Sequence, residues 1–173
     1  STAIARAASE LPGYTSAHES RSTLIGSERM DYPVNHIESD NRLAWFLGEL
    51  DKEYGDNAAY VVLRRDPEKI AESYVKRWYL SISIVRAFMV SVLMKTRYSK
   101  EERMSASRYY VDTIYSNIEL FLKDKTRVFN FDLSEPKESM RGLARFLEVD
   151  CPPEVIAAWD EQHNMNDRVS LFW

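Results

Sequence analysis

The chain has 173 residues, 45% of them hydrophobic and 29% charged, and a formal net charge of −4. These values suit one globular domain with a substantial core and leave little room for a second. The negative balance argues against a general nucleic-acid binder, whose domain is normally basic, so any anion site must be local.

In chain order, "STAIARAASEL" opens directly on a helical pattern with no strand before it, which either a processed start or an omitted upstream segment would explain. A helix over Thr2 to Leu11 is expected to end at the Pro12-Gly13 breaker, and "YTSAHES" then reads as a short extended segment. The stretch from Ser20 to Asp40 reads as irregular loop, a natural substrate-facing surface or mobile lid. Asn41 to Tyr54 restores helical spacing through Leu43, Phe46, Leu47 and Leu50, and Gly55-Asp56-Asn57 stops it. "AAYVVLRR" is a near-continuous apolar run, the mark of a parallel strand covered on both faces.

Pro67 suits a first helical turn with Asp66 as N-cap, and that helix is expected to reach the Met94 region with a break around Tyr79 to Ile84, where β-branched residues and serines accumulate. Ser99 caps a helix over Lys100 to Lys125, and "RVFNFDL" is the next strand. Ser134 and Pro136 open a helix through Phe146, and the paired prolines of "CPPEVIAAWDEQHN" begin the last. There is no internal repeat. The alternation predicts an α/β fold with a small parallel sheet flanked by many helices.

Cys151 is the single cysteine, so it has no partner for an internal disulfide, a zinc cluster or a redox pair, which fits a reducing, cytoplasmic setting. His18, His36 and His163 lack short metal-ligand spacing, so no metal site is expected. Tyr79 to Met94 is interrupted by Arg86 and several serines and reads as a buried helix rather than a membrane span, and no secretory signal is visible.

Two arginines close the apolar strand in "LRRDPEKIAESYVKRW". Arginine beyond a strand's carboxyl end, with a hydroxyl on the next helix, describes the crevice where open α/β sheets bind phosphorylated ligands. The stretch resembles the segment with which sulfotransferases hold the 3'-phosphate of 3'-phosphoadenosine 5'-phosphosulfate (PAPS), an arginine at a strand end followed eight residues later by a helical serine. Arg65 and Ser73 have that spacing. A guanidinium gives a phosphate two bonds at once, and Arg64 either helps or is solvated on the other side of the strand.

Three further stretches resemble the same family. "STAIARAASELPGYTSAHESR" is similar to the end of the phosphosulfate loop with its helix and next strand, so that Ser1 and Thr2 would match the hydroxyl pair closing the loop on the 5'-phosphosulfate. The glycine-containing front of that loop and its strand are not in the sequence. "HESR" lies where several members, the tyrosylprotein branch among them, place an acidic catalytic base. By that resemblance Glu19 takes the acceptor's proton, and Arg21 neutralises charge near the donor or orients Glu19. Cytosolic members use histidine, which makes His18 the competitor, and strand alternation would send the two to opposite faces. "VFNFDLSEPKESMRGLARFLEV" is similar to the family's late strand and following helix. The family's C-terminal glycine-rich basic segment is not visible, and Arg168 is the available substitute.

The resemblance implies a single sulfotransferase-like domain over residues 1–173 with a P-loop nucleotide-transferase-like three-layer architecture, its first strand not included. It also implies transfer of a sulfuryl group from PAPS, as co-substrate and without a metal, to a hydroxyl or amine of a small-molecule, glycan or peptide acceptor. A P-loop kinase or related phosphotransferase remains the competing enzyme class. A non-catalytic scaffold binding a partner protein through Ser20 to Asp40 is the competing non-enzyme. Neither nucleic acid nor a membrane span is expected. The long Met- and Tyr-bearing helices between Ile82 and Leu122 pack either internally or against another copy in a homo-oligomer.

Overall fold

The computed structural model describes residues 2–169, with side chains described through residue 161. The described chain clusters into two compact units, one formed by the residues up to Leu63 together with those from Lys125 onward, the other by Arg64–Asp124.

The first unit opens with α1 (Thr2–Ala8), β1 (Thr15–His18), α2 (Ser27–Met30) and β2 (His36–Ser39). A 3-10 turn follows at Asn41–Trp45, then α3 (Leu47–Tyr54) and β3 (Tyr60–Arg64). After the second unit the chain returns as β4 (Val128–Asp132), α7 (Pro136–Phe146) and α8 (Pro153–Val169). The unit is mixed α/β, and its strands form two separate two-stranded parallel sheets, β1 with β2 and β3 with β4, rather than one. One core serves both sheets. Ala3, Ile4, Ala7, Ala8 and Leu11 of the α1 region meet Phe131 of β4, Met140 and Leu143 of α7, and Val155 and Trp159 of α8. Ile37 of β2 and Val61 and Leu63 of β3 pack on the same cluster. Val62 points the other way and is also buried, so β3 is covered on both faces as its apolar run requires.

The second unit holds α4 (Pro67–Lys76), α5 (Ile84–Ala87), a π-helical turn at Phe88–Val92 and α6 (Lys100–Leu122). Its core is Trp78, Val85, Phe88 and Met89 against Ala106, Tyr110 and Val111 of α6. Asp66 caps α4 by accepting from the amides of Glu68 and Lys69, with Pro67 in the first turn. Ser99 and Glu102 form a reciprocal capping box on α6. The helix break expected near Tyr79 is present between Lys76 and Ile84.

Two expectations are corrected. The stretch Ser20 to Asp40 contains a strand, β2, paired in parallel with β1 in the register Thr15 to His36 through His18 to Ser39. Its sequence, "HIES", has one large apolar residue, too few to show a period. The Asn41 to Tyr54 segment is two pieces, because Phe46 leaves helical geometry between the 3-10 turn and α3 (φ −119°, ψ 28°). Asp40 caps the 3-10 turn, accepting from the amide of Arg42 at 2.8 Å.

Candidate functional site

Parallel pairing sets the carboxyl ends of β1 and β2 side by side, and both strands end in polar residues. The Glu19 amide continues the ladder by donating to the Ser39 carbonyl (3.2 Å). The chain then turns, with Glu19 in the left-handed region at φ 53°, a conformation costly for a residue with a side chain. The turn is fixed by Glu38 of β2, which accepts from the Ser20 amide at 3.0 Å and from the Ser20 hydroxyl.

This conformation alters the relation between the two candidate bases. Continued extension would send His18 and Glu19 to opposite faces. Instead His18 Nε2 lies 4.0 Å from Glu19 Oε1, because Glu19 has left strand geometry. Arg42 donates to Glu19 Oε1 at 2.6 Å. Among the described residues Oε2 of Glu19 has no hydrogen-bond partner, and the side chain is 28% exposed, so one oxygen is anchored and the other is not.

Behind Glu19 lies a buried ionic layer that the sequence reading did not single out. Arg29 of α2 and Asp40 after β2 pair at 3.2 Å with side-chain exposures of 6% and 1%. Arg29 also donates to the carbonyls of Arg21 (3.1 Å) and Ser22 (2.5 Å) and lies over the Phe46 ring at 4.4 Å. These bonds tie the loop after Glu19 to β2. Burial pushes the Asp40 carboxyl up from its ordinary value, opposed by the Arg42 amide and the Arg29 charge. Tyr32 stacks on His36 at 5.7 Å, and its hydroxyl is pushed up to about 12 by burial and by the charges of Glu38 and Asp40. His36 in turn meets Thr15 Oγ1 at 2.8 Å and Glu38 Oε2 at 3.3 Å.

The remaining sequence candidates fall as follows. Arg21 donates to the Glu28 carbonyl at 2.5 Å and lies over Tyr32 at 5.6 Å, so the cation on Glu19 is Arg42 and not Arg21. Thr2 is exposed at the first position of α1. Ser1 and the side chain of Arg168 lie outside the described residues.

In the second unit, Arg65 follows β3 and is exposed, with no hydrogen bond or ion pair among the described residues. Ser73 lies on α4 after the Asp66 cap, and its hydroxyl accepts from Arg77 at 3.1 Å. Arg64, its side chain 39% exposed, reaches Glu119 at 3.4 Å and lies over the Tyr115 ring.

Among the described residues no group of three or more His, Cys, Asp or Glu side chains has the arrangement of a metal site. No described helix is long and apolar enough to cross a membrane. Comparison with family models, curated proteins and solved structures finds no match to the chain.

The arrangement at Glu19 has definite chemical capacity. A carboxylate with one oxygen held by a guanidinium and the other without a hydrogen bond accepts a proton from a bound hydroxyl or amine without having to be oriented first. Its neighbours are held in turn, Arg42 by the Asp40-capped turn and Ser20 by Glu38.

Proposed function

We propose that the protein is a sulfotransferase that moves a sulfuryl group from PAPS to a hydroxyl or amine of an acceptor. The observation that carries this reading is Arg65. It is an exposed arginine without an ion-pair partner among the described residues, it follows a parallel strand directly, and it precedes a capped helix with a serine eight residues on. An arginine lacking a carboxylate is available to an anionic ligand, and its planar fork suits the 3'-phosphate that separates PAPS from ATP. Ser73 is the second ligand of that phosphate. It exchanges its bond from Arg77 for one to the anion, or brings Arg77 with it as a further cation.

Glu19 is the general base and Arg42 holds it. In-line transfer leaves negative charge on the departing nucleotide, and the acceptor's proton passes to Oε2 of Glu19 as the new S–O or S–N bond forms. On this reading the architecture is P-loop-related and the Ser1 and Thr2 hydroxyls meet the 5'-phosphosulfate; the parallel pairing of the strands supports it. This chemistry requires no metal.

The test is calorimetry on the full-length protein with 3'-phosphoadenosine 5'-phosphate, AMP and ATP, for wild type and Arg65→Ala. Selective binding of the bisphosphate, lost in the variant, supports the reading. Equal affinity for AMP, or preference for ATP with magnesium, refutes it and favours a phosphotransferase.

A further inference from the structure

Residues 76–100 contain six lysines and arginines and no aspartate or glutamate, in a chain whose net charge is −4. The same stretch exposes Tyr79 (69%), Leu80, Ile82 (68%), Val92, Leu93 and Met94 (83%). Isolated exposed apolar residues are ordinary, but six on an acid-free segment of one small unit are not.

Contacts through Arg103 and Tyr98 bring the two ends of the segment together. The Arg103 guanidinium lies over the rings of both Tyr79 (4.9 Å) and Tyr98 (5.9 Å), and Tyr98 accepts from the Trp78 indole at 3.4 Å. Lys95 pairs with Glu102. The turn carrying Tyr79, Leu80 and Ile82 and the turn carrying Leu93 and Met94 are therefore both tied to the first turn of α6. Trp78, Val85, Phe88 and Met89 fill the core beneath, so the outer side chains are not needed to complete it. Met94 adopts φ 55°, a strained conformation for a side chain that is left almost wholly in water.

We infer that this face of the second unit docks on an anionic lipid surface. The argument is charge complementarity joined to the shape of the apolar part. Lys76, Arg77, Arg97 and Lys100 are exposed close to the apolar turns in sequence, while Lys95 is engaged by Glu102 and Glu101 is the next exposed acid. Cations near apolar tips on turns match a bilayer interface, where the tips enter the acyl boundary, a tyrosine sits at headgroup level and the cations meet lipid phosphates. The inference does not depend on the proposed transfer reaction.

The experiment is co-sedimentation of the full-length protein with vesicles of phosphatidylcholine alone or mixed with phosphatidylglycerol, across a salt series. Wild type should bind the anionic vesicles at least about tenfold more strongly than the neutral ones, the advantage shrinking with salt. Ile82→Ser/Met94→Ser should lose about tenfold on anionic vesicles with its circular dichroism unchanged, since both sites are exposed. Arg97→Gln/Lys100→Gln should lose a similar factor and flatten the salt dependence. Equal binding to both vesicle types, or undiminished binding by the serine variant, overturns the proposal. So does absence of vesicle binding together with a dimer that the serine variant dissociates in sedimentation velocity, which would give the face to a second copy.

Discussion

Replacing Arg29 with methionine removes the cation from a buried pair while keeping most of the side chain's volume. Asp40 is left 1% exposed, with the Arg42 amide at 2.8 Å and the Arg42 guanidinium no nearer than 4.0 Å. Breaking one side of a buried pair typically costs about 3–5 kcal/mol, chiefly because the surviving charge is stranded. The retained amide bond places the expected loss near the lower end, about 3 kcal/mol at neutral pH. With a urea m-value of about 2 kcal/mol/M, that corresponds to a midpoint about 1.5 M lower, read by tryptophan fluorescence.

The cause is isolated by Arg29→Met/Asp40→Asn, which keeps an acceptor for the Arg42 amide but carries no charge. It should recover about 2 kcal/mol relative to the single variant. Acidification should act in the same direction, because protonating Asp40 also removes the stranded charge. Burial already raises the Asp40 pKa in the wild type from its ordinary 3.8. An acid whose folded pKa is raised binds its proton more tightly when folded, so its contribution to stability is present below the unfolded value and lost as pH rises through the folded one. The single variant, with the opposing cation gone, should therefore weaken more steeply than wild type as pH climbs above about 4. A double variant no more stable than Arg29→Met, at any pH, would refute the argument and assign the loss to the Arg21 and Ser22 carbonyl bonds or to packing on Phe46.

Glu19→Gln should lower the transfer rate by about 100- to 10,000-fold while leaving bisphosphate binding intact, measured by turnover and calorimetry on the same preparation; unchanged turnover would remove Glu19 as base and promote His18. Tyr32, raised to about 12, should ionise after ordinary tyrosines in an alkaline absorbance titration. Its stabilising contribution is complete below the ordinary value of 10.0 and is lost as pH rises towards 12, so Tyr32→Phe should flatten the alkaline fall in stability. A Cβ on Gly142 would meet the Phe129 ring at 3.0 Å, and Phe129 packs on Phe146 at 5.5 Å. Alanine gains about 1 kcal/mol of helix propensity but overpacking costs about 1–3, so Gly142→Ala should lower the melting temperature by a few degrees; a rise would mean that Phe129 moves aside freely.

The parts of the fold legible in the sequence are those whose local chemistry is self-sufficient. The Asp66-Pro67 start of α4, the Ser99 cap of α6, the apolar run of β3 and the paired prolines before α8 each state a boundary within a few residues, and each lies where expected. The second strand was illegible because its stability is not local. "HIES" puts only Ile37 against the core, and the polar residues on either side are satisfied by partners about twenty positions away: His36 by Thr15, Glu38 by Ser20. The division of the strands into two sheets was hidden for the same reason, since apolar content reports that a strand is covered but not which strand lies beside it.

That hidden strand also explains why the candidate site was half read. Glu19 stood out through a resemblance, whereas the residues that orient it reach it only through the pairing of β1 with β2. Ser39 receives the Glu19 amide, Glu38 fixes the Ser20 turn, and Asp40 caps the turn from which Arg42 reaches Glu19. Arg21, the nearest cation in sequence, is drawn away to the Glu28 carbonyl and the Tyr32 ring. A carboxylate two residues from one arginine and twenty-three from another is held by the distant one, because the left-handed turn at Glu19 redirects the side chain towards β2. Glycine at this position would hold the turn more easily and lose the carboxylate. The comparison of Glu19→Gly with Glu19→Gln therefore separates the two roles: glycine relieves the left-handed strain and should stabilise the turn, whereas both variants lack the carboxylate.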